Sequence, residues 1–213
     1  MLHGLSLRLA KSLAFNGGID TGRVPVIAYG LELILGMLIK ILCFLIIPSL
    51  LGVLPQTLVA LTASALFRLP AGGAHCTSYG RCLIGSLFAF TMIGILAKLS
   101  GGLGSWTSPV FYITLGLAAV VTLLRVPVDN PCRPMLETRE RLRMKKWAWG
   151  VLAGYVMVAS MLSLSQDMVL AASLGILLQL VTLLPMGYKW MAGLDGFLIN
   201  LSSITTKEGR WVK

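Results

Sequence analysis

Charge is scarce in this chain, and acidic charge scarcest: 213 residues include 8 Asp and Glu against 18 Lys and Arg, and charged residues total 12%. A soluble domain usually carries about 25%. Hydrophobic residues supply 56% of the sequence, which excludes a water-soluble globular protein and leaves no stretch that would make a sizeable soluble domain. Histidine and cysteine are sparse too. Two histidines, and four cysteines at positions 43, 76, 82 and 132 without paired spacing, argue against a structural metal site, and neither a metal nor another cofactor is expected. Asp20, Asp129, Asp167 and Asp195 are scattered, which argues against an enzyme holding Mg2+ on clustered aspartates to act on lipid head groups. A Gly-x-Ser-Gly stretch is missing, so a rhomboid-like serine protease is not supported.

What is present is a series of apolar runs near 27–47, 49–67, 83–98, 107–125, 147–164 and 168–188, each close to the ~20 residues that cross a bilayer as helix. The expected fold class is all-α: a polytopic membrane protein of about six transmembrane helices, residues 1–213 forming a single integral membrane domain. Pro48 and Pro55 interrupt the second run, and the third is short with Thr91 and Gly94 inside it. Residues 1–22 do not read as a cleavable signal peptide, because Arg8 and Lys11 break the apolar stretch. Leu2, Leu5, Leu9 and Leu13 recur at helical spacing there, predicting an amphipathic interfacial helix ended by Asn16-Gly-Gly.

The net charge of +10 invites a nucleic-acid reading, but the positive residues sit in the junctions between apolar runs and form no continuous stripe. Topology accounts for them. With the N-terminus inside, only Lys40 and Lys98 of the 18 Lys and Arg fall on the outer side, a positive-inside bias that places both termini in the cytoplasm. The loop 127–146 opens with Pro127-Val-Asp-Asn-Pro-Cys-Arg-Pro, whose prolines forbid continuous helix, and continues as a charged helix with Glu137 and Arg141 at i,i+4. Cys43 reads as a small core residue, and Cys76, Cys82 and Cys132 fall at the cytoplasmic face, where thiols stay reduced.

Residues 68–86 hold the candidate chemistry: Arg68, Gly72-Gly73, His75 and Cys82 follow one another at the inner end of an apolar run. The thiolate, not the thiol, attacks a carbonyl, and a neutral imidazole is a suitable base for it. Seven residues of unbroken helix would hold the two side chains roughly 10.5 Å apart along the axis. A working pair therefore needs a break, for which Pro70, Gly72, Gly73 and Gly80 are the candidates. Cys82 would then lie near a helix start, where the dipole favours an anion. The plainer alternative is a structural hydrogen-bonding histidine beside an ordinary cysteine. Arg81 and Arg68 flank the pair and would either assist the thiolate and attract an acidic peptide tail or simply enforce topology. Ser86 lies one turn after Cys82, as a site residue or as a small polar residue at a helix contact. Glu32, an ionisable group inside the first apolar run, calls for a partner, with His75 and Arg68 as candidates.

Arg68, Gly72-Gly73, His75 and Cys82, with the loop Val126-Pro-Val-Asp-Asn-Pro-Cys-Arg-Pro behind them, resemble in order and spacing the signature of the AgrB family. These are bacterial membrane cysteine endopeptidases that process quorum-sensing pro-peptides. The resemblance covers nearly the whole chain. It departs at Cys76, where a small residue is more usual, and at Cys132, where a polar residue is. It implies Cys82 as nucleophile and His75 as base, and an AgrD-like precursor cut through a thioester and cyclised to a thiolactone or lactone. It also implies a multi-pass protein of the bacterial cell membrane, with a homodimer among its states. A small membrane transporter or peptide exporter without covalent chemistry is the alternative, and it predicts that Cys82→Ala retains activity.

Overall fold

The computed structural model describes residues 2–73, 79–128, 138–161 and 164–190, with Gly193 and Gly196. Its elements are helices α1 (Leu2–Asn16), α2 (Val24–Leu50), α3 (Leu54–Ala71), α4 (Tyr79–Leu99), α5 (Thr107–Arg125), α6 (Thr138–Met161) and α7 (Gln166–Leu183). Short 3-10 turns cover Thr21–Arg23 and Gly101–Trp106, and no strand occurs among the described residues. His75, Cys76, Cys132, Glu137 and most of the polar C-terminal tail lie outside the described residues.

Two compact units divide the chain, residues 1–47 and 48–213. In the first, α1 ends where Gly18 takes a left-handed φ of 61°, with the Gly17 and Ile19 amides donating to the carbonyls of Leu13 and Ala14 at 2.9 and 3.0 Å. That is a glycine helix stop of the kind the Asn16-Gly-Gly sequence predicts. Ser6, Ala10 and Ala14 form its buried row, whereas Leu5, Leu9 and Leu13 are exposed. Along α2, Leu33, Ile34, Met37, Leu38 and Leu42 are all more than half exposed, a surface suited to lipid and not to water.

In the second unit the helices alternate in direction. α3 and α7 are parallel: Gln56 bonds Asp167 near their starts, and Arg68 bonds Gln179 and Thr182 near their ends. Their backbones touch, since a Cβ on Gly175 would overlap the Ala60 carbonyl; small residues permit that approach in membrane bundles. α4 runs back antiparallel, Gly94 against Thr57, with the Lys98 ammonium donating to the Gly52 carbonyl at 2.7 Å. α5 and α6 are likewise antiparallel, because Lys145 at the start of α6 donates to the Leu123 carbonyl at the end of α5 at 2.8 Å. Phe67, Phe111, Leu115, Leu152, Ile176 and Leu180 fill the core between α3, α5, α6 and α7, and the Tyr155 hydroxyl donates to the Ala63 carbonyl.

Among the described residues four helical stretches are long and apolar enough to cross a membrane: Val24–Leu50, Tyr79–Leu99, Gly104–Arg125 and Gln166–Leu183. The other two expected spans are present as the helices α3 and α6 without meeting those criteria. The reason is compositional, since α3 carries Gln56, Thr57, Ser64 and Arg68 and α6 opens with Arg139, Glu140, Arg141, Arg143, Lys145 and Lys146. The charged helix expected ahead of the fifth run and the run itself are one continuous helix. Element ends also shift: Pro48 is accommodated within α2, Gly52 turns the chain with φ 66°, and Pro55 sits in the first turn of α3, where no amide donor is needed. α7 stops at Leu183 because extended Leu184 precedes Pro185.

Candidate functional site

The end of the bundle where α3, α5 and α7 finish and α4 and α6 begin collects Arg68, Arg81, Arg125 and the basic first turns of α6. Here α3 runs through Pro70 to Ala71 and stops at Gly72, whose amide donates to the Arg68 carbonyl at 2.8 Å. Gly72 and Gly73 have φ of 80° and 134°, a region that side-chain-bearing residues rarely enter. Of the residues expected to permit a break near His75 and Cys82, Gly72-Gly73 end α3, whereas Pro70 lies inside α3 and Gly80 inside α4.

Both glycines are also sterically required. A Cβ on Gly72 would come within 2.9 Å of the Val128 carbonyl oxygen, and one on Gly73 within 2.7 Å of Thr182 Oγ1 and 3.2 Å of Gln179 Nε2. Val128, two residues past the cis Val126–Pro127 bond, donates its amide to the Ala71 carbonyl at 3.1 Å. Val128 is thus laid directly on the end of α3.

On the opposite flank, Arg68 Nη1 donates to Gln179 Oε1 at 3.0 Å and to Thr182 Oγ1 at 3.4 Å. Gln179 Nε2 donates to the Gly72 carbonyl at 2.7 Å, and the Thr182 hydroxyl donates to the Gln179 carbonyl at 2.8 Å. Gln179 is 1% exposed, so both ends of its amide need partners, and both have them. Sequence reasoning missed Gln179 and Thr182. Their only signal is a polar pair three residues apart near the end of an apolar run, which one turn of helix places on one face.

Cys82 occupies the first turn of α4, free and half-buried. His75 falls between α3 and α4 in sequence, outside the described residues, so its distance from Cys82 is not part of the geometry. Arg81, adjacent to Cys82, is half-buried. Ser86 donates its hydroxyl to the Leu83 carbonyl of its own helix at 3.1 Å. Glu32 is bonded in the first unit to His3, Nδ1 to Oε2 at 2.9 Å, a partner the sequence reading did not consider. Cys43, in α2, is half-buried and not a core residue. An apolar cavity of about 490 Å³ opens along α3, α6 and α7 between Leu58, Leu66, Val158 and Ala172; among its described lining residues only Thr62 and Tyr155 carry hydroxyls, and that of Tyr155 is bonded to Ala63.

The comparisons with known proteins agree with one another. The family described as Accessory gene regulator B matches residues 6–183. A relative from Clostridium acetobutylicum is 26% identical over 191 residues, covering 87% of this chain and 84% of its own. One from Halalkalibacterium halodurans is 27% identical over 210 residues, covering 94% and 95%. Both carry only provisional names as AgrB-like proteins. No solved structure matches the chain.

Proposed function

From the premise that this chain belongs to the Accessory gene regulator B family, we propose that it is a membrane cysteine endopeptidase that cleaves a quorum-sensing pro-peptide and promotes its cyclisation. The observation that supports the reading is the helix break at Gly72-Gly73, two residues ahead of His75 in sequence, with Cys82 in the first turn of the next helix.

His75 accepts the proton of Cys82, and the sulfur attacks the scissile carbonyl carbon. The carbon–nitrogen bond breaks, the imidazolium protonates the departing amine, and the C-terminal fragment leaves. The N-terminal part stays on Cys82 as a thioester. A thiol or hydroxyl within that bound peptide then gives its proton to the imidazole and attacks the thioester carbonyl, and Cys82 leaves as thiol, closing a thiolactone or lactone. Exchange of one thioester for another conserves activation that water would waste, so the site gains from excluding water and holding the peptide bent. Backbone amides at the glycine break or in the first turn of α4 are the candidate oxyanion donors. Arg68, Gly72 and Gly73 act as supports. Arg81 serves an acidic tail of the precursor, and Ser86 is a supporting residue of lower rank.

The reading extends to topology. α3 and α6 complete a set of six spans, α1 lies in the interface with its leucine row in lipid, and the basic end of the bundle faces the cytoplasm of a bacterial cell. The alternating helix directions of the second unit and the gathering of arginines at one end support it.

The test is co-expression with the precursor peptide encoded beside the gene, following the released tail and any ring by mass spectrometry. Wild type releases the tail; Cys82→Ser and His75→Ala abolish release. Cleavage persisting in both variants removes the protease reading in favour of export without covalent chemistry.

A further inference from the structure

We infer that Gln179 is the positioning residue of the proposed cysteine protease, its buried side-chain amide fixing the glycine break from which the segment bearing His75 departs. The inference rests on that functional reading and deepens it. The orientation of the amide is set by chemistry: a guanidinium only donates and a backbone carbonyl only accepts. Hence Oε1 faces Arg68 and Nε2 faces Gly72.

One planar group therefore ties a cation on α3 to the first carbonyl beyond α3. Gly73 Cα is enclosed by the same three side chains, Gln179, Thr182 and Arg68, at 3.2, 2.7 and 3.5 Å from where a Cβ would stand. With Val128 against the other side of Gly72, the direction in which the chain leaves the helix is defined from both flanks. His75 is two residues farther on in sequence.

A structural and a positioning role make opposite predictions. Gln179→Glu retains an acceptor for Arg68, and strengthens it with charge, but sets a carboxylate oxygen against the Gly72 carbonyl. Thr182→Val removes a contact of Arg68 and leaves the bond from Gln179 to Gly72 intact. If the network only neutralises Arg68, the first change is harmless and the second is felt. If Gln179 aims the break, the first is damaging and the second mild.

The experiment is alkylation of the full-length protein in detergent or nanodiscs with iodoacetamide, the rate at Cys82 read by peptide mapping across pH, with size-exclusion and thermal melts as folding controls. Wild type is expected to show a His75-dependent reactive phase near neutral pH that His75→Ala lowers by at least about tenfold, since an unassisted thiol is only a few per cent thiolate there. Gln179→Glu should match His75→Ala, Thr182→Val should match wild type, and Gln179→Asn, whose amide falls one carbon short, should lie between them. With the precursor, kcat should fall about 100-fold in Gln179→Glu with KM little changed. A folded Gln179→Glu, or Gln179→Asn where the former does not fold, with the wild-type profile overturns the inference while leaving the protease reading intact. A wild type without any His75-dependent phase overturns both.

Discussion

The two ends of the α3–α7 pair are built from the same kind of residue and finished differently. At the basic end, Gln179 has both amide groups bonded, and Arg68, Thr182 and the Gly72 carbonyl close around it. At the opposite end, Gln56 donates to Asp167 at 2.6 Å, but its Oε1 is buried without a partner, as are the hydroxyls of Thr57, Thr91 and Thr107 among the described residues. A buried polar group left unmade costs about 1–3 kcal/mol, so the second end carries a penalty that the first avoids. Polar content is therefore a poor guide to where this fold is constrained; closure of the network is the better one. The closed end is the one that adjoins the candidate chemistry.

Paired alanine substitutions at Gly73 and Gly94 would break that contrast most sharply. At Gly73, alanine meets both a φ of 134° and the Thr182 hydroxyl at 2.7 Å, so the chain leaves α3 along a different path. Precursor cleavage should drop by about 100-fold with helicity and melting little changed, as expected for a displacement near 1 Å at a reacting pair. At Gly94 the backbone is ordinary helix, but a Cβ would overlap Thr57 and press α4 off α3. There the cost should be stability, roughly 1–3 kcal/mol by overpacking, with the folded fraction still cleaving. Thermal melts beside cleavage assays separate the two, and a purely structural Gly73 would show the Gly94 pattern.

How much of this was open to the sequence differs along the chain. The all-helical character, the need for a break before Cys82 and the gathering of positive charge were all carried by local signals: apolar length, Gly-Gly, and Arg and Lys at the junctions. Span criteria were not, because α3 buries Gln56, Thr57 and Ser64 and α6 opens with a charged run, residues that a window average counts against them. Gln179 was invisible for a related reason. Its partners lie 111 and 107 residues away, and a lone glutamine in an apolar run says nothing about which carbonyl it will meet. Glu32 shows the same limit, since a need for a partner was legible and the identity of His3 was not.

At the open end the expected effects are smaller. Gln56→Leu gives up the bond to Asp167 but also deletes the unpartnered Oε1. A hydrogen bond to a charged group is worth about 1.5–3 kcal/mol and an orphaned buried acceptor costs about 1–3, so the two nearly cancel. Melting should move by the equivalent of about 1 kcal/mol or less, and cleavage should not change. A large loss of activity would mean that the two ends are coupled.

Thr91→Val isolates the orphan itself. Thr91 is 4% exposed in α4, its hydroxyl has no partner, and valine differs from threonine by replacing that hydroxyl with a methyl of similar shape. Nothing is lost on the bonding side, and the buried polar atom disappears, so the substitution should be neutral or stabilising by up to about 1 kcal/mol. Thr122 in α5 is the control: it is equally buried, but its hydroxyl donates to the Ala118 carbonyl at 2.7 Å, so its valine variant forfeits a made bond. The melting temperature should therefore rank Thr91→Val above Thr122→Val. The reverse order would mean that the Thr91 hydroxyl is satisfied in the membrane, and the contrast between the two ends would shrink to Gln56, Thr57 and Thr107.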